Sequence, residues 1–167
     1  GGDALERLAT PSLIVFDKTG TLTEGRLELS SWQGDEALKP WVAAVEARSA
    51  HPIALAFGRA LGACDVEVCD YVQTPGGGVE ACIEGQRVVV GSVAFAKART
   101  ELPPQLEAAA REAAARGETP VLVGVDGRAR ALATFHDPVR ADARASLLRL
   151  HALGHRLAIL SGDQPEV

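Results

Sequence analysis

The sequence LIVFDKTGTLT occupies residues 13–23 and decides the fold. Its first four residues form an unbroken apolar run before a turn that contains glycine. This pattern predicts a strand over 12–16 that is buried on both faces, as in parallel sheets. Asp17 would then lie at the carboxyl end of the strand, where open α/β sheets bind their ligands. A carboxylate at that place can attack a phosphoryl group and form an aspartyl-phosphate.

The turn after Asp17 has the composition of a phosphate-binding segment. Gly20 allows the backbone to approach phosphate oxygens, and the hydroxyls of Thr19, Thr21 and Thr23 can donate hydrogen bonds to them. The alternative is a threonine-rich turn with no chemical role. Because strand, nucleophile, glycine and hydroxyls all agree, the sequence favours phosphoryl chemistry.

The segment DKTGTLT resembles the phosphorylation motif of P-type ATPases, which are similar to the haloacid dehalogenase-like phosphatases. The resemblance implies that Asp17, Lys18, Thr19 and Thr21 are catalytic, and that the Asp17 carboxylate and the Thr19 carbonyl hold Mg²⁺. The phosphatases usually carry a second Asp two residues after the nucleophile, as the general acid and base. Thr19 occupies that position here and cannot take a proton near neutral pH. The sequence therefore favours a pump, whose phosphoenzyme must persist, over a phosphatase.

Composition excludes several other classes of function. The 167 residues include 17 basic and 22 acidic residues, for a net charge of −5. No basic cluster occurs, so no binding of nucleic acid is expected. No apolar run reaches the roughly 18 residues of a membrane-spanning helix. Methionine is absent, which suggests a piece of a larger protein.

The three cysteines, Cys64, Cys69 and Cys82, lack the C-x-x-C spacing of a metal site. We expect them to be reduced thiols of a cytosolic protein, packed as small core residues.

A second motif, EARSAHP at residues 46–52, falls at a break between two predicted helices, 36–49 and 52–62. It resembles the nucleotide-binding segment of heavy-metal-transporting P-type ATPases, which implies that Glu46 and His51 contact the adenine end of ATP. A carboxylate can accept from the exocyclic amine, and an imidazole can stack on the base. The family usually has Glu where Ala50 stands. A His-Pro pair at a helix break also has a purely structural interpretation.

A glycine-rich turn, TPGGG at residues 74–78, lies between a predicted strand over 65–73 and an alternating stretch over 79–83. It resembles the PGxG turn of the heavy-metal ATPases, which implies that Gly76 and Gly78 let the chain pass close to the nucleotide phosphates. The alternative is an ordinary hairpin turn. Hairpins are also predicted for 79–83 with 87–91 and for 121–125 with 129–135.

The last third of the chain returns to the first strand. Asp137 is predicted to cap a helix that begins at Pro138 and ends near residue 153. The segment DPVR at 137–140 also resembles the family's hinge between its two cytosolic domains. A second buried strand, 156–160, precedes Ser161-Gly162-Asp163, which resembles the family's TGD motif. Parallel pairing of the two buried strands would place Asp163 beside Asp17.

The predicted architecture is α/β. An antiparallel-sheet nucleotide-binding domain with flanking helices, residues 26–133, is inserted into an incomplete Rossmann-like, haloacid dehalogenase-like phosphorylation domain, residues 1–25 and 134–167. The resemblance implies a heavy-metal cation pump of the copper or zinc type that uses ATP and Mg²⁺ at the cytoplasmic face of the cell membrane. Its cation would pass through membrane helices outside this sequence.

Two other functions remain open, a phosphatase and a nucleotide-binding module without chemistry. The family's later active-site Lys and its GDGxND-type motif have no counterpart here. We therefore expect this chain to bind nucleotide but to phosphorylate itself poorly or not at all.

Overall fold

The computed structural model describes residues 12–160, which form two compact units. The larger unit is Leu27–His136, and the smaller unit combines residues 12–26 with residues 137–160. The larger unit contains a six-stranded antiparallel sheet and the smaller one a pair of parallel strands. The predicted mixed α/β fold is thus confirmed. None of the described helices is long and apolar enough to cross a membrane.

The antiparallel sheet of the larger unit joins its strands in the order of residues 28–34, 128–136, 119–125, 86–91, 78–83 and 69–74. Two of its hairpins close through two-residue turns, Glu84-Gly85 and Asp126-Gly127, in which both residues have positive φ. Such turns match the twist of paired strands, which explains why the predicted hairpins form. The strands are β2 Glu28–Gly34, β3 Cys69–Thr74, β4 Gly78–Ile83, β5 Gln86–Gly91, β6 Thr119–Val125 and β7 Arg128–His136.

Helices cover both faces of this sheet. Successive residues of β6 alternate between two hydrophobic clusters, with Val121 and Val123 in one and Leu122 in the other. Because side chains alternate across a strand, the clusters lie on opposite faces. The first is shared with helices α1 and α2, and the second with α3 and α4. The helices are α1 Lys39–Glu46, α2 Pro52–Leu61, α3 Val93–Lys97 and α4 Pro104–Ala115.

Two predicted elements of the larger unit have different bounds in the structure. The helix expected over 36–49 consists of a 3₁₀ turn, Glu36–Leu38, followed by α1, although Asp35 caps its start as predicted by accepting from the Ala37 amide at 3.0 Å. The strand expected over 65–73 begins only at Cys69. The alternating residues before it have no strand partner, and the Val68 carbonyl instead accepts from the Arg48 guanidinium at 2.9 Å.

In the smaller unit, β1 Leu13–Asp17 pairs in parallel with β8 Arg156–Leu160, as predicted. The expectation that β1 is buried on both faces is wrong, because Leu13 and Val15 are 56% and 46% exposed. Within residues 12–160, β1 has β8 as its one strand neighbour, and Leu13 and Val15 lie on the same, exposed face of the strand.

The predicted cap at Asp137 is also wrong, because the helix of the smaller unit, α5, spans Ala143–Ala152. The Asp137 carboxylate instead accepts from the Thr23 hydroxyl at 2.6 Å and from the Arg26 amide at 3.1 Å. Val139 forms an antiparallel bridge with Thr23. The segment therefore contacts the residues just before the chain enters the larger unit, and it does so just after the chain leaves that unit. This is a tertiary contact, which a local rule for helix caps does not predict.

Candidate functional site

The first group of candidate residues lies at the end of β1. Asp17 pairs with Leu160 at the carboxyl end of the parallel strands, and its side chain is exposed. The chain then turns through Lys18–Leu22, with Gly20 in the left-handed region at φ 76°. An added Cβ at Gly20 would meet nothing within 4 Å, so this glycine is needed for its backbone conformation. Thr19 and Thr21 are exposed beside it.

Thr23 differs from the other threonines of this turn. It is buried, and its Oγ1 accepts from the Gly20 amide at 3.0 Å. The same oxygen lies 2.6 Å from Asp137 Oδ2, to which it donates. The expectation that Thr23 binds a phosphate is therefore wrong, since its hydroxyl is committed to shaping the turn.

The remaining catalytic and metal predictions are less complete. Asp163, with Ser161 and Gly162, lies outside the described residues. Within residues 12–160, Asp17 belongs to no group of three metal-ligating side chains. Its carboxylate and the Thr19 carbonyl offer two oxygens, whereas Mg²⁺ requires six ligands. These residues fit Mg²⁺ only where phosphate oxygens and water complete the coordination.

The second group of candidates converges on one cavity in the larger unit. Its volume is about 490 Å³, within the range of small-molecule sites. Glu46, His51, Gly76 and Gly78 all line it, although they come from two separate motifs of the chain. Ile53 and valines from the sheet supply its apolar walls.

Glu46 is the buried charged group of this cavity. It is the last residue of α1, and only 7% of its surface is exposed. Burial raises the pKa of its carboxyl from 4.5 to about 7, because desolvation disfavours the charged form. Desolvation of this carboxylate lowers the stability of the folded protein. A buried carboxyl group in the wall of a cavity is therefore a candidate for ligand recognition.

His51 is the N-cap of α2. Its Nδ1 accepts from the Ile53 amide at 3.3 Å. An accepting Nδ1 assigns the ring proton to Nε2, which leaves an N–H donor at the far side of the ring. The structural and functional interpretations of His51 are thus compatible, because Nδ1 caps the helix and Nε2 does not take part in the cap.

Sequence reasoning missed two residues that hold His51 in place. The Ser49 hydroxyl accepts from the His51 amide at 3.2 Å and from the Gln73 side-chain amide at 3.1 Å. Ser49 and Gln73 both line the cavity and link the break between the helices to β3. A polar residue three positions after Glu46 was the only available signal, and it is a weak one.

The glycines of the turn fall into two kinds. Gly76 has φ 70°, and an added Cβ there would meet nothing within 4 Å. An added Cβ at Gly78 would strike the Val90 carbonyl oxygen and lie 2.5 Å from Gly91 Cα. At both Gly78 and Gly91 it would also come within 3 Å of the Phe95 ring. Gly78 is therefore required by the packing of the protein itself, whereas Gly76 lines the cavity and has open space where a side chain would lie.

The cavity thus combines a carboxyl group, an imidazole N–H donor and a turn of three glycines with apolar walls. Such a set suits a flat heteroaromatic ring that carries an amine, with an attached polar group near the turn.

Comparisons with known proteins identify the family to which the chain is similar. A family model described as haloacid dehalogenase-like hydrolase matches residues 11–167. The chain is 38% identical over 172 residues to a copper-exporting P-type ATPase of Mycobacterium tuberculosis, and the match covers 99% of this chain and 22% of that protein. The chain thus spans about a fifth of the length of that curated relative.

Solved structures give the same result. A zinc-transporting PIB-type ATPase in its E2.Pi state matches with a TM-score of 0.82 and 30% identity, over 99% of this chain and 28% of that one. The catalytic domain of the CPx-ATPase CopB-B, studied for its conformational changes upon nucleotide binding, matches with a TM-score of 0.69 and 27% identity, over 99% of this chain and 59% of that one. The resemblance to heavy-metal P-type ATPases is confirmed.

Proposed function

The chain belongs to the haloacid dehalogenase-like hydrolase family, and from that premise we propose that it is the ATP-binding and phosphorylation region of a heavy-metal-transporting P-type ATPase. One observation carries the proposal. Glu46, His51, Gly76 and Gly78, chosen from two separate motifs, line one cavity in the larger unit. Residues 27–136 would be the nucleotide-binding domain, and the segments on either side would belong to the phosphorylation domain.

In the proposed complex, adenine lies between Glu46 and His51. The Glu46 carboxylate accepts a hydrogen bond from the exocyclic amine, and the His51 Nε2–H donates to a ring nitrogen or the ring stacks on the base. The phosphates extend past the backbone of Gly76, which lines the cavity. Gly78 acts by letting β4 approach β5 and Phe95, which holds the turn in place.

The proposed reaction is phosphoryl transfer to Asp17. Its carboxylate oxygen attacks the γ-phosphorus in line, the bond from that phosphorus to the β–γ bridging oxygen breaks, and ADP leaves. Lys18 and the hydroxyls of Thr19 and Thr21 would offset the phosphate charge, and Asp163 would act with them. Mg²⁺, when held by Asp17 and the Thr19 carbonyl, supplies further charge neutralisation.

The whole protein's activity is proposed from its relatives. Phosphorylation of Asp17 would drive transport of a metal cation of the copper or zinc type. The cation would pass through membrane segments of the parent protein, with this region at the cytoplasmic face.

Calorimetric titration of ATP tests the nucleotide site. Saturable binding is expected for the 167-residue chain, with affinity weakened by about tenfold or more in His51→Asn, since a lost hydrogen bond to a ligand costs about 1.4 kcal/mol. Asn is a good N-cap, so this variant preserves the start of α2 and removes the imidazole. Glu46→Gln should weaken binding as well.

His151→Gln is the matched control, because His151 is exposed in the smaller unit and does not line the cavity. Unchanged ATP affinity in both His51→Asn and Glu46→Gln, with the fold retained by circular dichroism, would overturn the proposed site.

A phosphatase is the second candidate, because the matching family model describes hydrolases. Thr19 at the general acid and base position argues against it. Assays with small phosphate esters should show no turnover, and sustained hydrolysis that depends on Asp17 would favour the phosphatase instead.

A further inference from the structure

Two of the cysteines that were expected to pack in the core lie at the edge of the sheet. The Sγ atoms of Cys69 and Cys82 and a carboxylate oxygen of Asp70 all lie within 4.8 Å of one another. Cys69 and Asp70 are exposed, and Cys82 is half-buried. This is the one group of three metal-ligating side chains found among residues 12–160, and the nucleotide site does not use it.

The backbone explains how three such residues come together. Cys69 on β3 is the register partner of Cys82 on β4, so the pairing of antiparallel strands brings the two thiols side by side. Neighbours along a regular strand point to opposite faces, which would send Asp70 away from both. The register shifts between Cys69 and Val72, and Asp70 adopts φ 48°. This bulge turns the Asp70 carboxylate back toward the thiols.

The Cys69 thiol is held beside the backbone of β4 by a hydrogen bond. Cys69 Sγ lies 3.2 Å from the Cys82 carbonyl oxygen and donates to it. A metal ion would displace this proton and bind the thiolate.

We propose that Cys69, Asp70 and Cys82 form a binding site for a thiophilic divalent cation of the Zn²⁺ type. Two sulfur donors and one carboxylate oxygen match the mixed ligands that Zn²⁺ accepts, whereas Cu⁺ prefers sulfur alone. Three protein ligands leave the fourth tetrahedral position open to water or to an exchanging ligand. The site is accessible because β3 is an edge strand of the sheet.

This site stands apart from the proposed nucleotide function but shares a strand with it. The other end of β3 contributes Gln73 and Thr74 to the cavity. A metal ion that joins Cys69 to Cys82 would clamp β3 to β4 and stabilise this edge of the larger unit.

Zn²⁺ competition against a chromophoric chelator tests the proposal, with the 167-residue chain kept reduced by a phosphine. Cys82→Ser should weaken Zn²⁺ binding by about a hundredfold and Asp70→Asn by about tenfold, because each removes one ligand. Cys64→Ser is the matched control, since this third free cysteine lies outside the cluster, and it should bind Zn²⁺ as the unaltered chain does. Co²⁺ should give a thiolate charge-transfer band of equal intensity in the unaltered chain and in Cys64→Ser, and a weaker one in Cys82→Ser. Cu⁺ titrated in parallel should bind with little dependence on Asp70.

Thermal denaturation distinguishes a variant that has lost a Zn²⁺ ligand from one that has lost its fold. Zn²⁺ should raise the melting temperature of the unaltered chain and of Cys64→Ser by more than that of the exposed variants Cys69→Ser and Asp70→Asn. Equal Zn²⁺ affinity in the unaltered chain and Cys82→Ser, or an equal loss in Cys64→Ser, would overturn the site. A Cys69–Cys82 disulfide that persists in the reductant and excludes Zn²⁺ would also overturn it.

Discussion

Replacing Glu46 by Gln should stabilise the protein at neutral and alkaline pH. Burial raises the pKa of this carboxyl from 4.5 to about 7, so the folded state disfavours its ionised form. The folded protein holds the proton more tightly than the unfolded chain does, and stability falls as the pH rises from about 4.5 through about 7. A rise in this pKa from 4.5 to about 7 corresponds to about 3 kcal/mol of stability. Gln has no charge to desolvate and avoids this loss.

The assay is urea denaturation followed by tryptophan fluorescence between about pH 4 and about pH 8. Both tryptophans, Trp32 and Trp41, belong to the larger unit, so the signal reports the unfolding of the unit that contains Glu46. Near pH 4, the difference in unfolding free energy between Glu46→Gln and the unaltered chain should vary with pH by only a few tenths of a kcal/mol. Between about pH 4 and about pH 8, this difference should increase by about 3 kcal/mol in favour of the variant.

Glu80→Gln is the control of opposite sign. Hydrogen bonds from Arg99 and Arg87 lower the pKa of the Glu80 carboxyl, so its stabilising contribution exists above about pH 4.5 and is lost as the pH falls. That variant should be less stable than the unaltered chain at neutral pH. If the difference in unfolding free energy between Glu46→Gln and the unaltered chain does not depend on pH, burial does not raise the pKa of Glu46. The same conclusion follows if the variant becomes less stable than the unaltered chain toward alkaline pH.

The other stability predictions concern the glycine turn and the hydrogen bonds of Asp137. Gly78→Ala should lower the unfolding free energy by about 3 kcal/mol or more, because its Cβ would strike β5. Gly76→Ala should lower it by only roughly 1–2 kcal/mol, which is the cost of a left-handed backbone. Urea denaturation measures both variants, and an equal loss of stability would contradict the packing described. Asp137→Ala should cost about 2–3 kcal/mol, because it leaves the Thr23 hydroxyl and a backbone amide without their acceptor. The exposed Asp142→Ala should cost less than about 0.5 kcal/mol, and faster amide exchange around Thr23 in the first variant alone would check the difference.

Local sequence patterns predicted the elements that place the candidate site. The apolar run before Asp17 correctly predicted its position at the end of a parallel strand, and Pro52 after His51 correctly predicted the break between α1 and α2. These signals are local, because strand period, helix breaks and glycine turns depend on residues that are close in sequence. The roles of Glu46, His51, Gly76 and Gly78 stay predictions, although the structure brings the four residues to one cavity.

What the sequence concealed depends on contacts between distant residues. Asp137 had the local signature of a helix cap, but its carboxylate binds Thr23, 114 residues away. Cys69 and Cys82 lack metal-ligand spacing along the chain, and only the strand register and the bulge at Asp70 bring their thiols together. Gly78 resembled a phosphate contact, whereas Phe95 and Val90 account for the absence of its side chain.

The central claim is that ATP occupies the cavity between Glu46 and the glycine turn. Amide chemical shifts of the ¹⁵N-labelled chain, followed as ATP is added, test it most directly. We expect saturable shifts concentrated at Ser49, His51, Gln73 and residues 76–78, with none at Gln105 or Arg130, which line a second cavity. Shifts centred on that second cavity, or no saturable shifts in a folded sample, would contradict the account.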